Sequence, residues 1–111
     1  TAYTGGEPTA GRSIGMPTEE SLRALEGDVY LTIDIDAFDP SIAPGTGTPE
    51  HGGPTSRECL EFLRLIFAAL PVKAMDIVEV SPPLDISDVT SLAALKVMYE
   101  VFGFIQAQAT A

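Results

Sequence analysis

The order of apolar and polar positions predicts five elements: helix, strand, helix, strand, helix. Residues 29–36 (VYLTIDID) are rich in β-branched and aromatic residues, and the two aspartates come at the end of the segment. This pattern is typical of a central strand in a parallel sheet. Residues 73–80 (KAMDIVEV) predict a second strand. Between them, Thr55 and Glu58 have the spacing of a capping box. A helix is therefore expected as far as Leu70, with one apolar face formed by Cys59, Phe62, Leu63, Ile66, Phe67 and Leu70.

The outer helices are predicted at 17–26 and 90–106. Thr18 suits the cap of the first helix, and Gly27 suits its end. The last helix carries little charge, so we expect much of its circumference to be covered, including the apolar face of Leu92, Leu95, Met98, Tyr99, Phe102 and Ile105. Residues 1–15 have no apolar period and are rich in Gly, Thr and Pro. The predicted organisation is thus an irregular arm with a short helix over 1–27 and an α/β portion over 28–111.

The connection between the two strands predicts a right-handed parallel crossover. Two parallel strands alone would leave bare apolar edges, which invite association. We therefore expect either that further strands are missing from this chain or that another chain supplies them, and in both cases we expect association as a homo-oligomer.

Composition and charge narrow the function. The chain has 111 residues, enough for one modest core. Its 6 Lys and Arg against 16 Asp and Glu give a formal charge of -10, which argues against nucleic acid and an anionic membrane as partners and favours a cationic substrate or a metal ion. The longest strongly apolar stretch, 65–72, is too short to span a bilayer. The single cysteine, Cys59, is expected in the core and fits a cytoplasmic protein.

Three acidic residues are predicted at the carboxyl ends of the strands, where ligands bind in parallel α/β sheets. Asp34 and Asp36 are two apart and would share one face of the first strand, and Glu79 lies near the end of the second. A divalent cation is one natural counter-charge. The alternative is that the aspartates emerge into solvent and cap the following loop. Asp76, unusual within a strand, could orient a ligand or form a structural pair.

The longer motif strengthens the metal interpretation. Residues 34–53 (DIDAFDPSIAPGTGTPEHGG) strongly resemble a signature of the ureohydrolase family, which includes arginases and agmatinases, and residues 76–83 (DIVEVSPP) resemble the next segment of that family. The strings GTGTPE and EVSPP look more like agmatinases than arginases. The chain is thus similar to the C-terminal portion of such an enzyme.

The resemblance implies part of a three-layer αβα fold around a parallel sheet, with two Mn²⁺ ions at the ends of the strands. Asp34 would match the carboxylate that bridges both ions, and Asp36 a ligand of one ion. Glu79 would match the acid that receives the guanidinium of a small cationic substrate such as agmatine, and Thr48 a loop residue beside that group. The implied activity is hydrolysis of a guanidino compound to urea and an amine.

Parts of the family pattern are absent from the sequence. No GGDH or DxHxD string occurs, and the only histidine, His51, is expected to be a solvated loop residue. We therefore expect the isolated chain to be inactive. Two other hypotheses stay open: a truncated, non-catalytic remnant that acts as an oligomer, and a weak metal-binding module that uses Asp34 and Asp36.

Overall fold

The computed structural model describes residues 18–110 and confirms the predicted order of elements. The predicted irregular arm at 1–15 lies outside the described residues. The elements are helix α1 (Glu19–Arg23), strand β1 (Val29–Asp34), helix α2 (Ser56–Ala69), strand β2 (Val72–Val78) and helix α3 (Val89–Thr110), with short 3₁₀ turns at Ile35–Ala37 and Pro82–Leu84.

The two strands pair in parallel, as the crossover predicted. Thr32 lies opposite Asp76, and Asp34 lies opposite Val78, so both strands end at the same edge. Within residues 18–110 the sheet has two strands. One face of β1 contributes Ile33 to the core, whereas Tyr30 on the other face is exposed. The shared edge places the segments that follow β1 and β2 side by side.

Helix α2 covers the buried face of the sheet. Its start is fixed by the predicted capping box, in which the Thr55 side chain accepts from the Glu58 amide and the Glu58 side chain accepts from the Thr55 amide. The predicted apolar face is confirmed in the core, with Phe62 partly buried and the other five residues buried: Cys59, Leu63, Ile66, Phe67 and Leu70. This face of α2 and Ile33 of β1 belong to the same apolar cluster.

Several predicted boundaries were wrong by a few residues. Helix α1 is shorter than 17–26, since it ends at Arg23. Strand β1 ends at Asp34 rather than at Asp36, because the chain turns into a 3₁₀ helix whose first residue, Ile35, is fully buried. Strand β2 ends at Val78, so Glu79 comes directly after it. Asp36 therefore lies in a 3₁₀ turn, and Glu79 lies in the irregular segment that follows β2.

The prediction for the last helix was wrong about its buried face. The expected apolar face is exposed in the structure, and it comprises Leu92, Leu95, Met98, Tyr99, Phe102 and Ile105. Helix α3 instead turns Ala94, Val97 and Val101 into the core. These residues are smaller and allow a close approach to α2. Phe104 supports this contact, since its ring centroid lies 5.6 Å from that of Phe67.

Helix α3 is also longer than expected, since it runs over Val89–Thr110 rather than over 90–106. Its 22 residues meet the length and composition of a membrane span, a test that the core helices of many soluble proteins also pass. The prediction based on residues 65–72 overlooked this helix. In the structure, the inward face of α3 completes the core against α2.

Candidate functional site

The two predicted metal-binding aspartates lie together, although not for the predicted reason. Asp34 ends β1, and Asp36 lies in the 3₁₀ turn, so they do not share a strand face. The turn brings them together instead: the Asp34 carboxylate accepts a 3.1 Å hydrogen bond from the Asp36 amide. This bond caps the turn and fixes the backbone that carries the second carboxylate.

The loop after this turn returns to Asp36. Thr48 donates a 2.7 Å hydrogen bond from its hydroxyl to Oδ2 of Asp36. Both ends of the loop are held by Asp39, whose side chain accepts from the Ser41 and Gly52 amides and whose own amide donates to the Pro54 carbonyl. The structure thus brings Thr48, implied only by resemblance, into contact with a candidate metal ligand.

Glu79 lies at the same edge, directly after the neighbouring strand. It follows Val78, which pairs with Asp34. Its side chain is exposed, and its backbone has φ 74°, a left-handed conformation that is costly for a residue with a side chain. This backbone strain lies at the position where the resemblance places the substrate-binding acid.

The edge is an acidic site. Burial is the largest cause that raises the pKa of Asp34, and the neighbouring carboxylates of Asp36 and Glu79 raise it further. The ion pairs within residues 18–110 lie elsewhere, each inside one helix: Arg23 with Glu19, Arg64 with Glu61, and Lys96 with Glu100. The described part of the chain therefore supplies negative charge here without a matching basic side chain in an ion pair.

The donor atoms suit Mn²⁺ in kind but not in number. Carboxylate oxygens are ligands for hard divalent cations. Among residues 18–110, however, no group of three or more His, Cys, Asp or Glu side chains is arranged to hold a metal ion. Asp34 and Asp36 fit as part of a ligand set. His51 is an exposed loop residue, as predicted.

The remaining candidates have structural roles. Asp76 accepts hydrogen bonds from the hydroxyls of Tyr30 and Thr32, which favours the structural pair over the ligand-orienting role. Cys59 is buried in the core, and burial raises the pKa of its thiol to about 12, so it is a poor nucleophile at neutral pH.

Sequence analysis missed two residues near the start of α3. Thr90 accepts a buried hydrogen bond from the Gly45 amide, and Asp85 accepts from the Thr90 and Ser91 amides. The local capping signal falls on Asp88, directly before Val89, and therefore did not reveal Asp85. The contact between Thr90 and Gly45 joins residues 45 positions apart and has no such signal.

The chain matches a known protein family. Residues 9–103 match the model of the arginase family. The agmatinase of Cronobacter sakazakii is 51% identical over 88 residues, which cover 78% of this chain and 28% of that protein. The chain thus spans well under half of the length of this curated relative.

Solved structures of agmatinases and arginases also resemble this chain. A putative agmatinase from Clostridium difficile superposes with a TM-score of 0.74 and 39% identity over 82% of this chain and 34% of that one. The arginase of Bacillus caldovelox superposes with a TM-score of 0.70 and 36% identity over 77% of this chain and 29% of that one. The observed α/β unit is therefore part of an arginase-like fold, and the chain belongs to the arginase family.

Proposed function

We propose that this chain supplies one edge of the active site of an agmatinase-like ureohydrolase. The observation that carries the proposal is the contact between Thr48 and Asp36, beside Asp34 and Glu79, in a chain of the arginase family. Four positions that the family resemblance singles out thus lie at one edge of the sheet, although they are spread over residues 34–79. The relatives named agmatinase support agmatine as the substrate.

The proposed metal group is a pair of Mn²⁺ ions. Asp34 would bridge the two ions and Asp36 would bind one of them, with the other ligands supplied by segments outside this chain. When bound, such a pair lowers the pKa of a water molecule and stabilises charge that develops on the substrate. The raised pKa of Asp34 and the crowding of Asp36 and Glu79 support this assignment, because a cation would relieve the repulsion.

The residues of this chain would bind and orient the substrate. The Glu79 carboxylate can pair with two N–H groups of a guanidinium and so hold its plane in one orientation. The Thr48 hydroxyl fixes the Asp36 carboxylate in one rotamer. Addition of water to the guanidinium carbon, followed by cleavage of its bond to the alkyl nitrogen, yields urea and a primary amine. The net charge of -10 favours the approach of dicationic agmatine.

The isolated chain is proposed to be inactive, because two carboxylates cannot assemble a two-metal centre. Purified chain supplied with Mn²⁺ and agmatine should release no urea above a blank that contains metal alone. Release above that blank would overturn the proposed incompleteness of the site.

A second candidate is a non-catalytic oligomer, which the exposed apolar face of α3 favours. The reading frame upstream of the Thr1 codon distinguishes the two. A frame that continues through GGDH and DxHxD segments supports the enzyme, whereas a start codon directly before Thr1 supports the oligomer. We further propose a cytoplasmic location and self-association; a monomer by light scattering at high concentration would contradict the latter.

A further inference from the structure

We infer that Thr90, held by Asp85 at the start of α3, is a positioning residue that fixes the Thr48 loop at the candidate site. The inference rests on the proposed function, because it assigns Thr90 a role in placing Thr48 beside Asp36.

The loop is fastened to the fold at Gly45. The Gly45 amide donates a 2.7 Å hydrogen bond to Oγ1 of Thr90, and the Gly45 carbonyl accepts a 2.7 Å hydrogen bond from the Ser81 amide. We call these two bonds the Gly45 anchor. Thr90 has no exposed surface and Gly45 is buried, so water does not replace a lost partner at low cost.

Asp85 fixes Thr90 in turn. Its carboxylate accepts from the backbone amides of Thr90 and Ser91, at distances of 3.0 to 3.1 Å. These amides belong to the first helical turn and have no acceptor within the helix itself. The helix dipole also favours a negative charge at this position. Gly45 approaches this carboxylate so closely that an added Cβ would lie 2.7 Å from Cγ of Asp85. The start of α3 therefore restricts the position that Gly45, and with it the loop, can take.

The anchor determines where Thr48 can reach. Two residues lie between Gly45 and Thr48, so the three Cα–Cα steps span about 10 Å at full extension. The intervening Thr46 is 2% exposed, so the path runs inward before it emerges at Thr48. Without the Gly45 anchor, this short segment would have more conformational entropy. The hydrogen bond from Thr48 to Asp36 would then have to offset that entropy by itself.

Two substitutions test the role of the Thr90 hydroxyl, and the first of them is isosteric. Thr90→Val removes the acceptor of the Gly45 amide, and Thr90→Ser retains it. Thr46→Val is a matched control, because the Thr46 hydroxyl is also buried but has no hydrogen-bond partner within the described part of the chain. Amide hydrogen exchange at Gly45 and the side-chain carboxyl ¹³C shift of Asp36 are measured in the full 111-residue chain.

Thr90→Val should accelerate exchange at Gly45 by roughly tenfold relative to the amides of α2, and it should shift the Asp36 resonance. Thr90→Ser and Thr46→Val should leave both readouts close to those of the unmodified chain. The inference is overturned if Thr90→Val changes neither readout, if exchange rises equally throughout α2, or if Thr90→Ser fails to restore the signals. Neither readout requires substrate, so this result and the test of urea release can fail independently.

Discussion

The Thr48 hydroxyl donates a 2.7 Å hydrogen bond to the carboxylate of Asp36, which precedes it by 12 positions. The bond joins the middle of a Gly- and Pro-rich loop to the turn that follows β1. One carboxylate oxygen of Asp36 is thereby held by the protein itself. A side chain that is oriented in this way loses less conformational entropy when it binds a cation or orders a substrate.

The carboxylate of Asp85 should stabilise the fold in a pH-dependent manner. Burial raises its pKa, but the hydrogen bonds from Ser91 and Thr90 outweigh this effect and lower the pKa from 3.8 to about 2. A lowered carboxyl pKa contributes stability above the unfolded value of 3.8, and this contribution is lost as the pH falls through about 2. Asp85→Asn should therefore lower the midpoint of chemical denaturation near neutral pH. The difference in midpoint between this variant and the unmodified chain should shrink as the pH falls from 3.8 to about 2.

Asp28→Asn is the charge-matched control for this measurement. Asp28 is exposed, lies just before β1 and is not at the start of a helix. Its variant should lack the pH-dependent loss that is expected for Asp85→Asn. A difference for Asp85→Asn that stays constant across the acid range would contradict the assigned capping role.

The close approach of Gly45 to Asp85 should make a single methyl group costly. In Gly45→Ala, the new Cβ would lie 2.7 Å from Cγ of a side chain that several hydrogen bonds hold in place. Overpacking of this kind costs about 1–3 kcal/mol. Gly47→Ala, where a Cβ meets nothing within 4 Å, should change the free energy of unfolding by less than about 0.5 kcal/mol. Equal losses for the two variants in denaturant titrations would refute the close contact.

The left-handed backbone conformation of Glu79 should lower the free energy of unfolding of the native chain. Glu79→Gly relieves about 1–2 kcal/mol of strain at φ 74°, partly offset by about 0.5–1 kcal/mol of chain entropy. Glu79→Gln removes the charge but keeps the strain. We therefore expect the glycine variant to be at least as stable as the glutamine variant in chemical denaturation. A glycine variant that is less stable by about 1 kcal/mol would show that the backbone is not strained in the native chain.

The crowding of carboxylates around Asp34 should appear in the response to metal. Asp34→Asn keeps an acceptor for the Asp36 amide and removes one of the crowded charges. The variant should melt at a higher temperature than the unmodified chain in chelator. Millimolar Mn²⁺ should raise the melting temperature of the unmodified chain by binding weakly to the native state, and this shift should be smaller in Asp34→Asn.

Asp28→Asn, an exposed position just before β1, is the charge-matched control and should retain the full response to Mn²⁺. A lower melting temperature for Asp34→Asn in chelator would show that the charge of Asp34 stabilises the metal-free fold.

Local patterns predicted the elements that local interactions determine. The capping box at Thr55 and the apolar period of α2 gave that helix to within a residue, because both signals act within one or two turns. The end of β1 was predicted two residues too late, since VYLTIDID continues the strand pattern while the buried Ile35 draws the chain into a turn.

Relationships between distant residues were not predictable from local patterns. Helix α3 is apolar on two sides, so periodicity identified the helix but could not show that Val97 rather than Phe102 meets α2. Resemblance implied a role for Thr48, but its contact with Asp36 depends on the path of the whole loop. That path depends on Thr90, whose importance only the fold reveals.

Urea release by a chimera tests the central claim most directly. In it, the matched segment of this chain replaces its counterpart in the Cronobacter sakazakii agmatinase, which is 51% identical over 88 residues. With Mn²⁺, we expect the chimera to release urea from agmatine, and we expect Asp36→Asn in the transplanted segment to lower kcat/KM by roughly a hundredfold or more. A folded, manganese-loaded chimera that releases no urea, or an Asp36→Asn variant that retains full activity, would contradict the proposal.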